Sequence, residues 1–469
     1  MLSRRLFLPL ALAYTFVAAP LLGADTAKPL PRLRVSADHK SLVKEDGSAF
    51  FYLGDTAWEL FHRLTREEAT TYLEDRAKKG YTVIQAVALA EFGGLTEPNR
   101  YGHLPLANND PTKPQEDYFK DVDWFVDKAA SLGMYTGFLP TWGDKVNKKW
   151  GQGPEIFTPE NARIYGEWLG HRYKNKPVIW ILGGDRPTEN DLHLQIYRAL
   201  AEGLKKGDGG AHLISYHPNG GHSSSEYVQN EPWLDFNMLQ SGHGQKNNAN
   251  YKMVTADLER TPPRPVLDDE PNYEDHPVRA KKEQGWFDEF DVRKLCYWGL
   301  LAGACGHTYG AHPIWQFWDG KSPKLTDPRH SWMEDLSLPG SAQVGYARRL
   351  MESRPFLTRL PDQTLLMNSQ GGETSHRQAI TNAEGSCVMV YSALGHPFTV
   401  NLSKLSAQML RAWWFDPRTG EAKPAGEGKN EGPREFHPPS EGEGNDWVLV
   451  LDDMSKNYPP PGSAPLLDK

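Results

Sequence analysis

Carboxylates follow two apolar runs of this 469-residue chain at positions where a charge is costly. The run 178–182 (VIWIL) leads through two glycines to Asp185, and the short run 265–267 (PVL) leads into three acidic residues that end with Glu270. Crowded carboxylates raise one another's pKa, a cost tolerated mainly where chemistry needs it. Asp185 and Glu270 are therefore the candidate catalytic pair, one as a protonated acid and the other as an anion.

Other apolar runs also end in polar or aromatic side chains that could contact a ligand. The candidates for substrate binding are Asp55, Trp58, Glu91, Trp142, Asp144, His217, Gln240, His243, His312 and Trp315. The alternative for Asp55 and Asp144 is that each caps the helix that follows it. The alternative for Asp185 is an ion pair with Arg186, and the alternative for Glu270 is a surface loop.

The apolar runs alternate with amphipathic stretches, which indicates repeated strand–helix units. The eight predicted strands cover residues 49–58, 81–91, 134–144, 178–185, 211–218, 234–243, 264–271 and 305–317. Helix signals lie between them, including a capping box from Thr65 to Glu68, the pair Thr158-Pro159 and a predicted cap at Thr188. The predicted fold class is α/β, with a (β/α)8 TIM barrel. An open doubly wound sheet is the alternative, but no glycine-rich phosphate loop follows the first strand.

In such a barrel the carboxyl ends of all eight strands face one crater, so the candidates would meet there. Strands four and seven lie across the crater and would hold Asp185 and Glu270 roughly 5 Å apart. That separation suits cleavage of a glycosidic bond with retention of configuration, because one carboxyl protonates the leaving oxygen while the other attacks the anomeric carbon. The two glycines before Asp185 are expected to let a ligand approach the backbone.

Several other functional classes lack their sequence signals. The chain has a formal net charge of −8 and no basic run, which excludes a nucleic-acid partner. It has no HExxH motif, no GxSxG elbow and no phosphate loop, so we predict neither a metal nor another cofactor. Cys296, Cys305 and Cys387 have unrelated spacings and are predicted to be small buried side chains.

Six ordered segments carry a resemblance to a known family. They are YLGDTAWELFHRLTREEATTYLEDRAKKGYTVIQAV (52–87), PNRYGHLPLANNDPTKPQEDYF (98–119), LPTWGDKV (139–146), VIWILGGDRP (178–187), PVLDDEPNYE (265–274) and WQFWDG (315–320). Together they resemble the apiosidase-like glycoside hydrolases, glycoside hydrolase family 140.

The resemblance implies a barrel that cleaves glycosidic bonds to apiose in plant pectin, notably in side chains of rhamnogalacturonan II. By motif, Asp185 would be the acid/base and Glu270 the nucleophile. The implied partner is a plant polysaccharide or oligosaccharide. Two alternatives stay open: a barrel glycosidase for another pectic or furanosidic linkage, and a non-catalytic carbohydrate-binding protein.

The C-terminal part of the chain has a different pattern. Short alternating runs between turn residues predict a small antiparallel β-sandwich over residues 356–460, after a catalytic domain over residues 25–355. The segment RAWWFDPRTG (411–420) resembles the family's companion β-domain of the collagen-binding type. Strand alternation should place Trp413 and Trp414 on opposite faces, with one of them packed toward the barrel.

Residues 1–24 have the pattern of a secretory signal peptide, with Arg4-Arg5, an apolar stretch and small residues near Ala24. The stretch is short for a membrane span, and the arginine pair resembles a twin-arginine signal. We therefore expect export by the Sec or twin-arginine route to the bacterial periplasm or the exterior, with no membrane anchor after cleavage. The sequence carries no signal for the oligomeric state.

Overall fold

The computed structural model describes residues 29–367, 370–463 and 465–466. The predicted signal peptide, residues 1–24, lies outside the described residues. No helix within the described ranges is long and apolar enough to cross a membrane.

Two sheets make up the first part of the chain. The small antiparallel sheet contains β1 (Leu33–Val35), β2 (Leu42–Lys44) and β3 (Ala49–Phe50). The main sheet contains β4 (Tyr52–Thr56), β5 (Val83–Val87), β6 (Tyr135–Leu139), β7 (Val178–Gly183), β8 (Ile214–His217), β9 (His222–Ser223), β10 (Asn237–Gln240), β11 (Val266–Asp268) and β12 (Gly306–Tyr309). Its order is β8-β7-β6-β5-β4-β12-β11-β10-β9, with parallel pairing from β8 to β10 and β9 antiparallel to β10.

The main sheet curls until β8 meets β10. The backbone N–H of Asp235 donates to the carbonyl of Ile214 at 2.8 Å, and Ser215 Oγ donates to the carbonyl of Phe236 at 2.7 Å. With helices between successive strands, this arrangement is the (β/α)8 TIM barrel that the sequence predicts. The eight parallel strands fall inside the eight predicted runs but are shorter, because the ends of each run form the connecting loops.

The small antiparallel sheet plugs the amino-terminal end of the barrel. Leu33, Leu42 and Phe50 belong to the same apolar cluster as side chains of the barrel interior. Phe50 contacts Tyr135, the first residue of β6, with ring centroids 5.2 Å apart. This apolar closure leaves the opposite, carboxyl end of the barrel as the open end.

Eleven α-helices lie within the described residues. They are α1 (Leu60–Arg63), α2 (Arg66–Lys78), α3 (Glu116–Ser131), α4 (Pro159–Tyr173), α5 (Asp191–Asp208), α6 (Ser224–Val228), α7 (Asn250–Leu258), α8 (Glu289–Leu301), α9 (His312–Trp315), α10 (Trp332–Asp335) and α11 (Gly340–Glu352). The predicted caps at Thr65 and Thr158 are confirmed, each with a capping box. The predicted cap at Thr188 is wrong: α5 begins after Asn190, whose side chain accepts from the N–H of His193.

The C-terminal part forms two antiparallel sheets, as predicted. Its strands are β13 (Arg359–Pro361), β14 (Arg377–Asn382), β15 (Cys387–Ser392), β16 (Phe398–Asn401), β17 (Met409–Asp416), β18 (Glu421–Lys429), β19 (Pro433–Phe436) and β20 (Trp447–Asp453). Six of them pair in the order β13-β14-β15-β20-β17-β18, and β16 pairs with β19. Trp414 lies in the core of this domain, whereas Trp413 packs against the apolar cluster that continues into the barrel. The two indoles therefore take opposite faces, as strand alternation predicts.

One face of the six-stranded sheet packs against α8 of the barrel. Arg293 forms a buried ion pair with Asp446 at 2.6 Å, and Tyr297 stacks on Tyr391 with ring centroids 4.9 Å apart. The apolar cluster is continuous across this contact, so the two domains share a core. The cysteines Cys296, Cys305 and Cys387 are buried, as predicted, and form no disulfide within the described ranges.

Candidate active site

The chain turns sharply at the end of β7. Gly183, Gly184 and Asp185 have φ angles of 83°, 116° and 53°, a region that favours glycine. A Cβ on Gly183 would lie 2.2 Å from the carbonyl oxygen of His217, and one on Gly184 would lie 2.5 Å from the backbone nitrogen of Gly143. Neighbouring backbone therefore requires both glycines, which corrects the expectation that they make room for a ligand. The left-handed conformation of Asp185 is a form of strain that is typical of functional sites.

The carboxyl group of Asp185 stands at the rim, with 26% of its side chain exposed. Its Oδ2 accepts hydrogen bonds from Trp150 Nε1 at 3.1 Å and from Arg186 Nη1 at 2.8 Å. Burial, followed by the negative charge of Glu270, raises the pKa of Asp185 against the opposing effect of Arg186. The alternative ion pair with Arg186 is thus present, yet this carboxyl holds its proton more readily than one in water.

Arg186 divides its charge between two carboxylates. Its guanidinium is fully buried and also donates from Nη2 to Glu91 Oε1 at 2.7 Å. Burial raises the pKa of Glu91 to about 7, although Arg186 opposes the shift. For Asp185, the lowering effect of Arg186 on the pKa is smaller than the raising effects of burial and of Glu270.

Glu270 lies just past the end of β11 among hydrogen-bond donors. Its Oε1 accepts from Gln240 Nε2 at 2.8 Å and contacts His243 Nε2 at 3.0 Å, and its Oε2 lies 3.2 Å from His217 Nε2. Burial disfavours the anion, but the two imidazoles outweigh burial and hold the pKa of Glu270 well below its usual range. Glu270 is therefore an anion over a wide range of pH.

His217 connects Glu270 to a second buried carboxylate. Its Nδ1 lies 2.5 Å from Asp269 Oδ2, and Asp269 also accepts from Gln85 across the barrel. Burial alone would lower the pKa of His217, but Asp269 and Glu270 together raise it to about 10. A cationic imidazole clamped between two carboxylates fixes the orientation of Glu270.

Aromatic rings form one wall beside this group. The rings of Trp58 and Trp142 lie 5.1 Å apart, and each also contacts the ring of His217, at 5.2 Å and 5.7 Å. Both indoles are almost fully buried, so the wall presents a narrow surface. A sugar ring that packs against such a wall would gain apolar contact on its C–H face.

A row of imidazoles extends from Glu270 to the end of β12. The ring of His243 stacks on His276 at 4.4 Å, and His276 contacts His312 at 4.5 Å. Trp315 donates from Nε1 to His312 Nδ1 at 3.3 Å and stacks on Phe92. Burial lowers the pKa of His312 to about 3, so this end of the crater is neutral.

The structure brings most of the predicted site residues to one rim. The connected set is Asp185, Glu270, Glu91, Trp58, Trp142, His217, Gln240, His243, His312 and Trp315. The Nε2 atoms of His217 and His243 both face the carboxylate of Glu270. They do not point toward a common open position.

Two predicted substrate-binding residues are fully buried and closed off from the open crater. Asp55 is fully buried beneath α2, where it contacts Tyr72 and pairs with Arg76 at 2.6 Å. Asp144 is also fully buried and pairs with Lys145 at 2.8 Å. The predicted contact of either residue with substrate is corrected, because each carboxylate is closed off by its own cation.

Three residues that touch the candidate pair or its partners were not predicted as site residues. These are Asp269, Trp150 and His276, whereas Arg186 was predicted only as an alternative ion-pair partner of Asp185. The crowded acidic run before Glu270 was a usable signal for Asp269. Trp150 lies in a loop 35 residues before Asp185, and nothing local marks it as a partner.

Two carboxyl groups with different protonation states lie at the open end of the barrel. The one that retains its proton can protonate a leaving oxygen, and the one that stays ionised can attack a carbon. Fold and site together define a glycoside hydrolase. Residues 36–358 match the family model described as "Apiosidase-like, catalytic domain", and the chain belongs to this apiosidase-like family. Residues 360–452 match the model described as "Putative collagen-binding domain of a collagenase".

Two solved structures are similar over nearly the whole chain. One, titled "Glycoside hydrolase", is 33% identical with a TM-score of 0.84, and the match covers 92% of this chain and 98% of that one. The other is a glycoside hydrolase family 5 protein from Bacteroides vulgatus ATCC 8482, 31% identical with a TM-score of 0.85, covering 94% and 98%. No protein of curated function matches the chain.

Proposed function

We propose that this glycoside hydrolase cleaves apiosidic linkages in plant pectin, in the side chains of rhamnogalacturonan II. The match of residues 36–358 to the apiosidase-like catalytic domain carries the proposal. The narrow aromatic wall of Trp58 and Trp142 supports it, since apiose is a small five-membered sugar ring. Export to the periplasm or the exterior, expected from residues 1–24, is part of the proposal because polymeric pectin lies outside the cell.

In the first step, Asp185 gives its proton to the glycosidic oxygen while a Glu270 oxygen attacks the anomeric carbon. The bond to the leaving sugar breaks, and the products are a free hydroxyl group and a glycosyl ester on Glu270. The raised pKa of Asp185 and the lowered pKa of Glu270 support this step, which needs a protonated acid and an ionised nucleophile.

In the second step, Asp185 takes a proton from water, whose oxygen attacks the same carbon and releases Glu270. Two inversions give net retention of configuration. The contacts of Glu270 with His217 and His243 stabilise the departing carboxylate, so they also favour this step.

The test is incubation of the purified protein with rhamnogalacturonan II, with analysis of the released monosaccharides. Apiose release is expected. Proton NMR of the sugar that is released first should show the same anomeric configuration as in the substrate. The double variant Asp185→Asn, Glu270→Gln controls for contaminating glycosidases. Release of arabinose from arabinan without apiose release would instead show that the enzyme cleaves another furanosidic linkage. Initial formation of the opposite anomer would contradict retention.

A further inference from the structure

Three potential metal ligands meet behind the segment that follows Glu270. Asp275 lies on that segment, His330 precedes Ser331, which is the N-cap of α10, and Asp335 is the last residue of α10. One ligand atom from each side chain lies within 4.8 Å of the other two. The group is separate from Asp185 and Glu270, because its carboxylates contact neither residue.

Two oxygens of this group lack the partners that buried carboxylates normally have. The side chains of Asp275 and Asp335 are 1% and 3% exposed. Arg329 pairs with Asp275 Oδ1, and His330 Nδ1 lies 3.1 Å from Asp335 Oδ1. The Oδ2 atoms of both aspartates are buried without a hydrogen-bond partner among the described residues. Each such oxygen carries a desolvation cost that calls for a missing partner.

The unpartnered oxygen of Asp275 is directed into the group. It lies 3.8 Å from His330 Nδ1, which in turn lies 3.1 Å from Asp335. Ligand atoms bound to one cation at about 2.1 Å are separated by about 3.0–3.4 Å in octahedral or tetrahedral geometry. The 3.1 Å separation lies within that range and the 3.8 Å separation lies slightly above it, so a small closure would suffice.

We propose that Asp275, His330 and Asp335 bind a first-row divalent cation such as Mn²⁺ or Zn²⁺. One imidazole and two carboxylates form a mixed nitrogen and oxygen ligand set that suits these ions better than Ca²⁺, which takes oxygen ligands. His330 is 49% exposed, which leaves an open side for the cation to approach and for water to complete its coordination.

The cation has a structural role in this proposal. It connects the segment that carries Glu270 to α10 and offsets the repulsion between two buried carboxylates. Consistent with that repulsion, burial and then the charge of Asp275 raise the pKa of Asp335 to about 7. Because ligands must be deprotonated to bind a cation, affinity should rise with pH.

The experiment begins with the full-length mature protein dialysed against EDTA and then freed of chelator. Titration calorimetry with MnCl₂ and with ZnCl₂ should give one site per chain, and saturating Mn²⁺ should raise the thermal midpoint by several degrees. The variants His330→Ala and Asp335→Asn should each lose this site and the thermal shift. Asp327→Asn is the matched control, since it removes one exposed carboxylate from the same loop and should keep the site.

Two results would overturn the assignment. One is the absence of Mn²⁺ and Zn²⁺ binding by the wild-type protein at millimolar concentrations. The other is unchanged binding by His330→Ala, whose exposed side chain can be removed without disturbing the fold. Because both readouts are binding and melting, neither depends on the sugar that the enzyme cleaves.

Discussion

Two groups of carboxylates in this chain, one beneath α2 and one at the open rim, differ in their access to solvent. Beneath α2, Asp55 contacts Arg76 and Tyr72, and none of the three side chains reaches solvent. At the rim, Asp185 and Glu270 also contact cationic groups, but Asp185 keeps 26% of its side chain exposed.

The direction of the pKa shift does not separate the two settings. Burial raises the pKa of Asp55 and of Asp185 alike. The next largest influence differs: for Asp55 it is the opposing charge of Arg76, whereas for Asp185 it is the like charge of Glu270. An ion pair that is closed to solvent, such as Asp55 with Arg76, stabilises the fold. A pair of acids that is open to solvent, such as Asp185 with Glu270, can keep one proton for transfer to a ligand. Titration of a closed carboxylate should change stability, and titration of an open one should change rate.

The largest effect is expected for Glu270→Gln. We expect kcat/KM to fall by about 10⁴-fold or more, because a neutral amide cannot attack the anomeric carbon. Steady-state rates on the released sugar measure the loss, and circular dichroism checks that the fold is retained. Activity within tenfold of the wild type would place Glu270 among the closed, structural carboxylates.

Asp185→Asn should lower kcat/KM by about 10²–10⁴-fold on a natural linkage. The loss should shrink on an aryl glycoside whose leaving group needs no protonation. In the wild type, the rate should fall as pH rises through the raised pKa of Asp185, since the acid then loses its proton. Rate profiles against pH should show that this alkaline limb is absent from the variant, and its persistence would assign the limb to another group.

Asp55→Asn should leave the chemistry intact and reduce stability by about 3 kcal/mol, because it leaves the Arg76 charge buried without this partner. Urea unfolding measures the change. Asp75→Asn is the matched control: Asp75 contacts the same arginine but is 25% exposed, so a smaller loss is expected. If Asp55→Asn lowered kcat/KM and left stability unchanged, Asp55 would have a role in catalysis and not in stability.

Glu274 is another carboxylate without access to solvent, so its titration should change stability. Burial raises its pKa from 4.5 to about 7, although Tyr309 donates to it at 2.6 Å. Between these two pH values the folded protein keeps a proton that the unfolded chain releases, so this group's contribution to stability falls as pH rises, by about 1.4 kcal/mol per unit. Glu274→Gln should flatten that part of the dependence between pH 5 and pH 7, as measured by urea unfolding at each pH. An unchanged slope would contradict the assignment.

The smallest effect is expected for Trp150→Phe. The indole donates one hydrogen bond to Asp185 and is 60% exposed, so the fold should be unaffected. Loss of a hydrogen bond worth about 1 kcal/mol should raise the pKa of Asp185 further, with a few-fold change in kcat/KM. The alkaline limb of the rate profile should therefore move to higher pH, and a shift to lower pH would be inconsistent with the hydrogen bond.

Sequence patterns were sufficient for the local parts of this protein. Apolar runs bounded by turn residues located the eight parallel strands, and the capping boxes at Thr65 and Thr158 located two helix starts. These features depend on residues within one turn or one strand of each other. Strand alternation also placed Trp413 and Trp414 on opposite faces, and the same rule applied to β4 would have turned Asp55 away from the barrel interior.

What sequence alone determined was the barrel, the companion β-domain and two carboxyls at strand ends. Only the tertiary structure decided which carboxyls could act, because a pKa depends on groups that the fold brings together from distant segments. Glu270 is ionised through His217 and His243, and Asp185 is influenced by Glu270, 85 positions later. Barrel closure creates these contacts, and no spacing within either motif encodes them.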